Sequence, residues 1–268
     1  MNNGRLFSAC LKIWIGLSGP LVFSQTQSIH PFIPQNFLGE KLNYKLEYLN
    51  LSAASLNFQI PDTARIDNIT VNHLIVRATS SRSSGMFFKL DNRYETYFDR
   101  ATFLPQKIHK SIRQKNIVHD LTITFDHRQQ QASRGDSIYW SIPADCYDYF
   151  SMLYYLRSQP LLPGDTLRFH LDSEYRISKV EAVVLSEKKK IEVPAGRFNS
   201  IQLQVKFAAL NNLPRPWKTD LLTNRLAAPG SELTIYFSDD AFRLPLKISY
   251  HQSVINTQII LKSFQRGH

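Results

Sequence analysis

The densest run of chemically capable side chains is Asp91-Asn92-Arg93-Tyr94-Glu95-Thr96-Tyr97-Phe98-Asp99. On an extended strand, alternate residues share a face, so Asp91, Arg93, Glu95, Tyr97 and Asp99 project together. Two chemistries fit that face. Glu95 and Asp99 could form a general acid and base. Alternatively, Arg93 between Asp91 and Glu95 makes a charge ladder, because same-face neighbours can neutralise each other. The ladder is the favoured expectation, since carboxylates beside an arginine stay ionised and suit bracing better than proton donation.

Other acidic groups fall where turns are expected. Phe125-Asp126-His127 and Ser238-Asp239-Asp240 each close a strand-like run, and aspartate at a strand end is usual turn chemistry. The eight histidines are scattered, without metal-ligand spacing, so neither a metal nor a cofactor is expected. No nucleophile elbow, phosphate-binding loop or dinucleotide fingerprint is present. No catalytic residue is therefore assigned, although an enzyme using Glu95, Asp99 or Asp239 is kept as an alternative. The cysteines are Cys10 and Cys146. Cys146 sits among aromatics, as a buried, inert thiol would.

The surrounding pattern is that of strands. Leu42, Tyr44, Leu46 and Tyr48 alternate with polar residues, as a half-buried strand requires. Ser52-Ala53-Ala54 reads as a turn into a second alternating run, making a hairpin. A dozen or more such runs follow. So many antiparallel strands must curl, split or close. The expected fold is mostly β: a large curved antiparallel sheet, as a half-open barrel or two stacked sheets. One helix should pack on it near 146–157, where Tyr147, Phe150, Ser151, Tyr154 and Tyr155 fall at helical spacing behind Asp145 as N-cap.

Residues 1–24 have a charged start, an apolar centre and small residues before a cut after Ser24, as a cleavable export leader does. Residues 25–38 read as a flexible leader and 39–266 as one β-rich domain. No transmembrane span is expected in the mature chain. The formal charge is +10, and no basic run exceeds Lys188-Lys189-Lys190. That balance suits anionic partners such as lipid, lipopolysaccharide or glycan, and no nucleic-acid-binding module accompanies it.

Residues 211–230 interrupt the strand rhythm with Pro214, Pro216 and Pro229 around Trp217, Leu221 and Leu222. Long segments of this kind often act as lids or binding loops. A second candidate surface is the strand 106–113, where Lys107, His109 and Arg113 oppose Ile108 and Ile112. The expected ligand-binding residues are therefore Trp217, Leu221, Leu222, Lys107 and Arg113.

Several segments together resemble the bacterial exported family filed as domain of unknown function 3108. They are Gly39-Glu40-Lys41-Leu42-Asn43-Tyr44, Ala53-Ala54, the 91–99 run with Leu104-Pro105, and Phe125-Asp126-His127. Asp148 with Tyr154-Tyr155-Leu156-Arg157, Val193-Pro194-Ala195-Gly196-Arg197-Phe198 and Tyr236-Phe237-Ser238-Asp239-Asp240 followed by Leu244-Pro245-Leu246 complete the series. The resemblance implies an exported β-rich protein of the periplasm or outer-membrane periphery of a diderm bacterium, and it supplies no activity. The expected function is non-enzymatic binding of an amphiphile or glycan on the concave face of the sheet. The alternatives are the acidic enzyme above and an assembly partner that pairs through a sheet edge.

Overall fold

The computed structural model describes residues 36–80, 89–114, 116–211, 213–214, 217–218, 220–252 and 255–267. The leader expected at 1–24 lies outside them. Strands β1 (Lys41–Tyr48), β2 (Leu51–Ile66), β3 (Ile69–Ser80), β4 (Asp91–Asp99), β5 (Pro105–Gln114), β6 (Ile117–Asp126), β7 (Gln131–Arg134) and β8 (Ile138–Ser141) form an unbroken antiparallel meander. After β9 (Cys146–Tyr147) and helix α1 (Tyr149–Ser158) come β10 (Thr166–Asp172), β11 (Ile177–Val184), β12 (Lys189–Val193) and β13 (Gly196–Ala209). Helix α2 (Leu221–Leu226), β14 (Glu232–Ser238), β15 (Pro245–Gln252) and β16 (Ile255–Gln265) complete the order.

All strands belong to one open curved sheet, ordered β8-β7-β6-β5-β4-β3-β2-β1-β16-β15-β14-β13-β11-β10-β9, with β12 also pairing β13. Of the two expected arrangements, the single curled sheet is the one present. Among the described residues, only β9 with β10 pairs in parallel. The register puts the turns β1–β2, β5–β6, β7–β8 and β10–β11, the end of β13 and the start of β14 at one end, here the upper end. The turns β2–β3, β4–β5, β6–β7 and β14–β15 lie at the lower end.

The first hairpin turns at Leu49 and Asn50, both left-handed at φ 50° and 63°. Ser52–Ala54, expected as the turn, belong instead to β2. A two-residue reversal of type I′ needs positive φ at both centres. Asn50 tolerates that and the small residues after it have no such preference.

Helix α1 lies against the concave face and is buried nearly all round, as an almost uniformly apolar helix must be. Its rings meet β2 and β4: Phe150 lies 5.9 Å from Phe58 and 5.0 Å from Tyr94, and Tyr154 lies 5.4 Å from Phe98. The N-cap is Asp148, not Asp145. Asp148 accepts from the amides of Phe150 (2.7 Å) and Ser151 (3.2 Å), and Ser151 closes a capping box. Asp145 is drawn away because Cys146 and Tyr147 join the sheet as β9, and its carboxylate meets His170 Nδ1 at 2.6 Å. At the lower end of α1, the Arg157 guanidinium grips Glu40 through bonds of 2.8 and 2.6 Å.

The two sheet edges, β8 and β9, are separated in sequence only by residues 142–145, and a buried bond ties β8 to β10, the neighbour of β9. Trp140 Nε1 on β8 donates to Asp172 Oδ2 at the end of β10, at 3.1 Å. Cys146 is buried at this seam and burial pushes its thiol well up.

Candidate functional site

The interior parity of β4 and β5 carries more than core. Tyr94 and Phe98 share it with Asn92, and Ile108 and Ile112 share it with Lys110 and Gln114, all buried. At the upper end these polar groups meet the 210–231 segment. Asp220 accepts from Tyr94 Oη and Gln114 Nε2, each at 2.9 Å, and from the Leu222 amide at 2.8 Å. Lys110 Nζ donates to Glu174 Oε1 at 2.8 Å and Thr223 Oγ1 at 3.3 Å. Trp217 Nε1 donates to Glu174 Oε2 at 3.1 Å. Glu174 and Tyr175 occupy the β10–β11 turn with φ of 59° and 78°. Side chains with a Cβ pay for that conformation, and the buried bonds of Glu174 hold it.

Burial opposes the charge of Lys110, but the Glu174 and Asp220 carboxylates more than offset it and lift the ammonium above its ordinary value. Burial pushes Asp172 up to about 7, against the hydrogen bonds from Trp140 and the Tyr175 amide. Burial also raises Asp148, whose Oδ2 has no hydrogen-bond partner among the described residues. Among the described residues, no group of three or more His, Cys, Asp or Glu side chains is arranged to hold a metal ion.

Beside this polar half lies an apolar one. A cavity of about 40 Å³ opens between α1, α2 and the wall made by β2 and β14–β16. Leu56, Phe58, Phe150, Leu222, Leu226 and Ile259 are among the residues that line it. Helix α2 straddles both halves. Leu222 and Leu226 face the cavity, while Thr223, which also touches it, and Asp220 just before the helix enter the polar cluster. Within 211–230, the segment expected as a long loop insertion, Leu221–Leu226 form a six-residue helix.

The structure brings Trp217 and Leu222 to this end; the Leu221 side chain lies outside the described residues. Lys107 and Arg113 lie elsewhere, on the outer face. Lys107 Nζ sits 5.3 Å from the Tyr97 ring centre, and Arg113 pairs with Asp120 at 3.4 Å. Also on the outer face, Arg93 Nε donates to Glu95 Oε1 at 2.7 Å, and His73 bridges Glu95 (3.0 Å) and Asp62 (2.9 Å). Asp91 is exposed at the start of β4. Burial would raise Glu95, but its bonds to Arg93 and His73 hold it below the usual carboxylate range. Asp99 accepts from the amides of Ala101 and Thr102 in the next turn, and four residues along a strand set it roughly 13 Å from Glu95. Asp239 pairs with Lys188 at 2.9 Å and with Arg243 at 3.4 Å. Glu95→Gln is expected to cost under about 1 kcal/mol, as partly exposed pairs do. Chemical denaturation checks this, and a loss of several kcal/mol would mean that Glu95 anchors more than its neighbours on the outer face.

Sequence reading passed over Lys110, Gln114, Asn92, Glu174 and Asp220. The first three carried a usable signal, a polar residue on the apolar parity of its strand. Glu174 carried none, being one turn residue among many.

A curled antiparallel sheet wrapped on a helix, its mouth half polar and half apolar, defines a β-barrel-like protein with an occupied interior. The chain belongs to the family described as protein of unknown function (DUF3108), whose profile matches residues 42–259. The β-barrel-like DUF1849 protein of Brucella abortus shares the fold, with TM-score 0.56 at 6% identity over 87% of this chain and 99% of that one. Two other solved structures overlay more loosely. A Bacteroides fragilis protein described as exported, with a YmcC-like fold, gives TM-score 0.39 at 11% identity, covering 88% of this chain and 99% of its own. A Parabacteroides distasonis protein described as a lipoprotein gives 0.37 at 8% identity, covering 87% and 98%. Comparison with curated proteins gives no match. Among the described residues no helix is long and apolar enough to cross a membrane.

Proposed function

We propose that this is an exported envelope protein that binds the apolar part of an amphiphile, a lipid or glycolipid, under the 210–231 segment. The leader-like sequence at 1–24 supports export. The observation that carries the binding reading is the division of α2, with leucines over an apolar cavity and polar residues over a buried charged cluster. An amphiphile presents the same division. The cavity of about 40 Å³ is far below the roughly 300–1,000 Å³ of ordinary ligand pockets. Uptake therefore requires α2 to swing away. A six-residue helix has little stability of its own, so its position depends on its contacts. Edge pairing has weaker support, because the edge strands β8 and β9 span four and two residues.

The test is titration of the mature protein with dansyl-labelled undecanoic acid, alongside native mass spectrometry of protein taken from a bacterial envelope. The wild type is expected to bind the probe. Leu226→Trp, which fills the cavity, should weaken binding about tenfold, equivalent to about 1.4 kcal/mol, with little change in melting temperature. No binding by the wild type, together with a bare protein mass from the envelope, would reject the reading.

A further inference from the structure

The exposed apolar side chains are not spread evenly over the molecule. Among the described residues nine large ones are exposed, and only Leu162 and Phe242 lie at the lower end. Tyr48, Leu49 and Leu51 form the tip of the β1–β2 hairpin. Val118 follows the β5–β6 turn and Tyr139 the β7–β8 turn, each one residue in from the strand end. Leu210 and Leu213 open the segment that leads into α2. These strands are distributed across the sheet order, so the seven side chains ring the mouth and do not form one patch.

We infer that this ring docks the mouth onto the surface of a bilayer containing anionic lipid. Leu51 and Val118 are 73% and 72% exposed, the two most exposed large apolar side chains among the described residues. Leu49 adds a second anomaly. It holds a left-handed conformation at an exposed tip, where asparagine or glycine is the less strained choice. A flat apolar medium accepts tips dispersed around a rim, whereas a protein partner calls for one contiguous patch. Cations stand among the tips. The Arg134 guanidinium lies 4.6 Å from the Trp217 ring centre, Arg176 donates to the Leu213 carbonyl, and Lys218 is exposed. None of those contacts neutralises a charge, and the whole chain is formally +10. Phosphate headgroups supply the complement. The inference holds whether or not the cavity takes a ligand, but docking would aim the α2 lid at the lipid.

The experiment is co-sedimentation of the mature protein with vesicles of phosphatidylcholine alone and with added phosphatidylglycerol. Wild type is expected to sediment with the anionic vesicles, and less so when salt is raised to about 0.5 M, where screening is strong. A triple variant, Leu49→Ser, Leu51→Ser and Val118→Ser, should partition about tenfold less, while Phe242→Ser at the lower end should match wild type. Binding of the soluble dansyl probe by the triple variant should be unchanged, which separates docking from cavity occupancy. Wild type left in the supernatant with both vesicle types, or equal sedimentation of the triple variant, would overturn the inference. So would a wild-type dimer dispersed by the triple substitution, which would assign the ring to a second copy.

Discussion

Lys110→Met is expected to destabilise the fold by about 3–5 kcal/mol, the range for removing one partner of a buried ion pair. Glu174, its partner at 2.8 Å, has a side chain only 1% exposed and cannot recover hydration without opening the mouth. Asp220 also loses the cation that balances it, although Tyr94, Gln114 and the Leu222 amide still donate to it. The damage should concentrate at the upper end, because Lys110 bonds Thr223 of α2 and Glu174 bonds Trp217. Urea denaturation at neutral pH measures the loss. Adding Glu174→Gln removes the stranded charge and should recover a substantial part of it. A single-variant loss below about 1 kcal/mol would show that the cluster is in effect solvated, as exposed pairs are, and that it does not fix the lid.

The second large effect concerns Asp172, and it changes sign with pH. Its carboxyl is pushed from 3.8 to about 7 in the folded protein, so between those values the folded state keeps a proton that the unfolded chain has released. Stability from this group is complete below the unfolded value and is lost as pH rises through about 7. Each unit of displacement corresponds to about 1.4 kcal/mol, which places the total on the order of 4–5 kcal/mol. Asp172→Asn abolishes the slope. It also loses one of two accepted bonds, from Trp140 Nε1 or the Tyr175 amide, at about 1 kcal/mol. The variant should therefore be slightly less stable than wild type near pH 4 and clearly more stable near pH 8. Melting curves across that range decide the matter, and parallel pH profiles would show that Asp172 is already ionised within the folded seam.

Period-two patterning made the strands legible because one face of each is core and the other is wet: Leu42, Tyr44 and Leu46 read in the sequence as they lie in β1. Helix α1 was legible from its aromatics, while its start was misplaced by three residues because Asp145 and Asp148 are both competent caps. Only a contact distant in sequence, between β9 and β10, decides between them. Helix α2 was missed because six residues show no period. The candidate site was half visible. Trp217 and Leu222 stood out as bulky apolar residues in a proline-rich segment. Lys107 and Arg113 were chosen for charge on one face of β5, when the informative residues of that strand were Lys110 and Gln114 on the other. The bond from Trp140 on β8 to Asp172 on β10 had no local signature at all.

The placement of β1 against β16 has a consequence in time. Lys41 pairs with Gln265, a separation of 265 − 41 = 224 residues, and this one ladder joins the β2–β8 arm to the β15–β9 arm. Contacts so remote in sequence form slowly, since a long loop must close before they stabilise anything. A chain emerging from its N-terminus would hold the Leu42–Tyr48 edge unpaired until nearly every other strand had appeared. Unpaired edges of this kind are where chains join one another wrongly. Fidelity of assembly for this protein is thus governed by its last strand, and any delay or loss there leaves two half-sheets with sticky margins in place of a barrel.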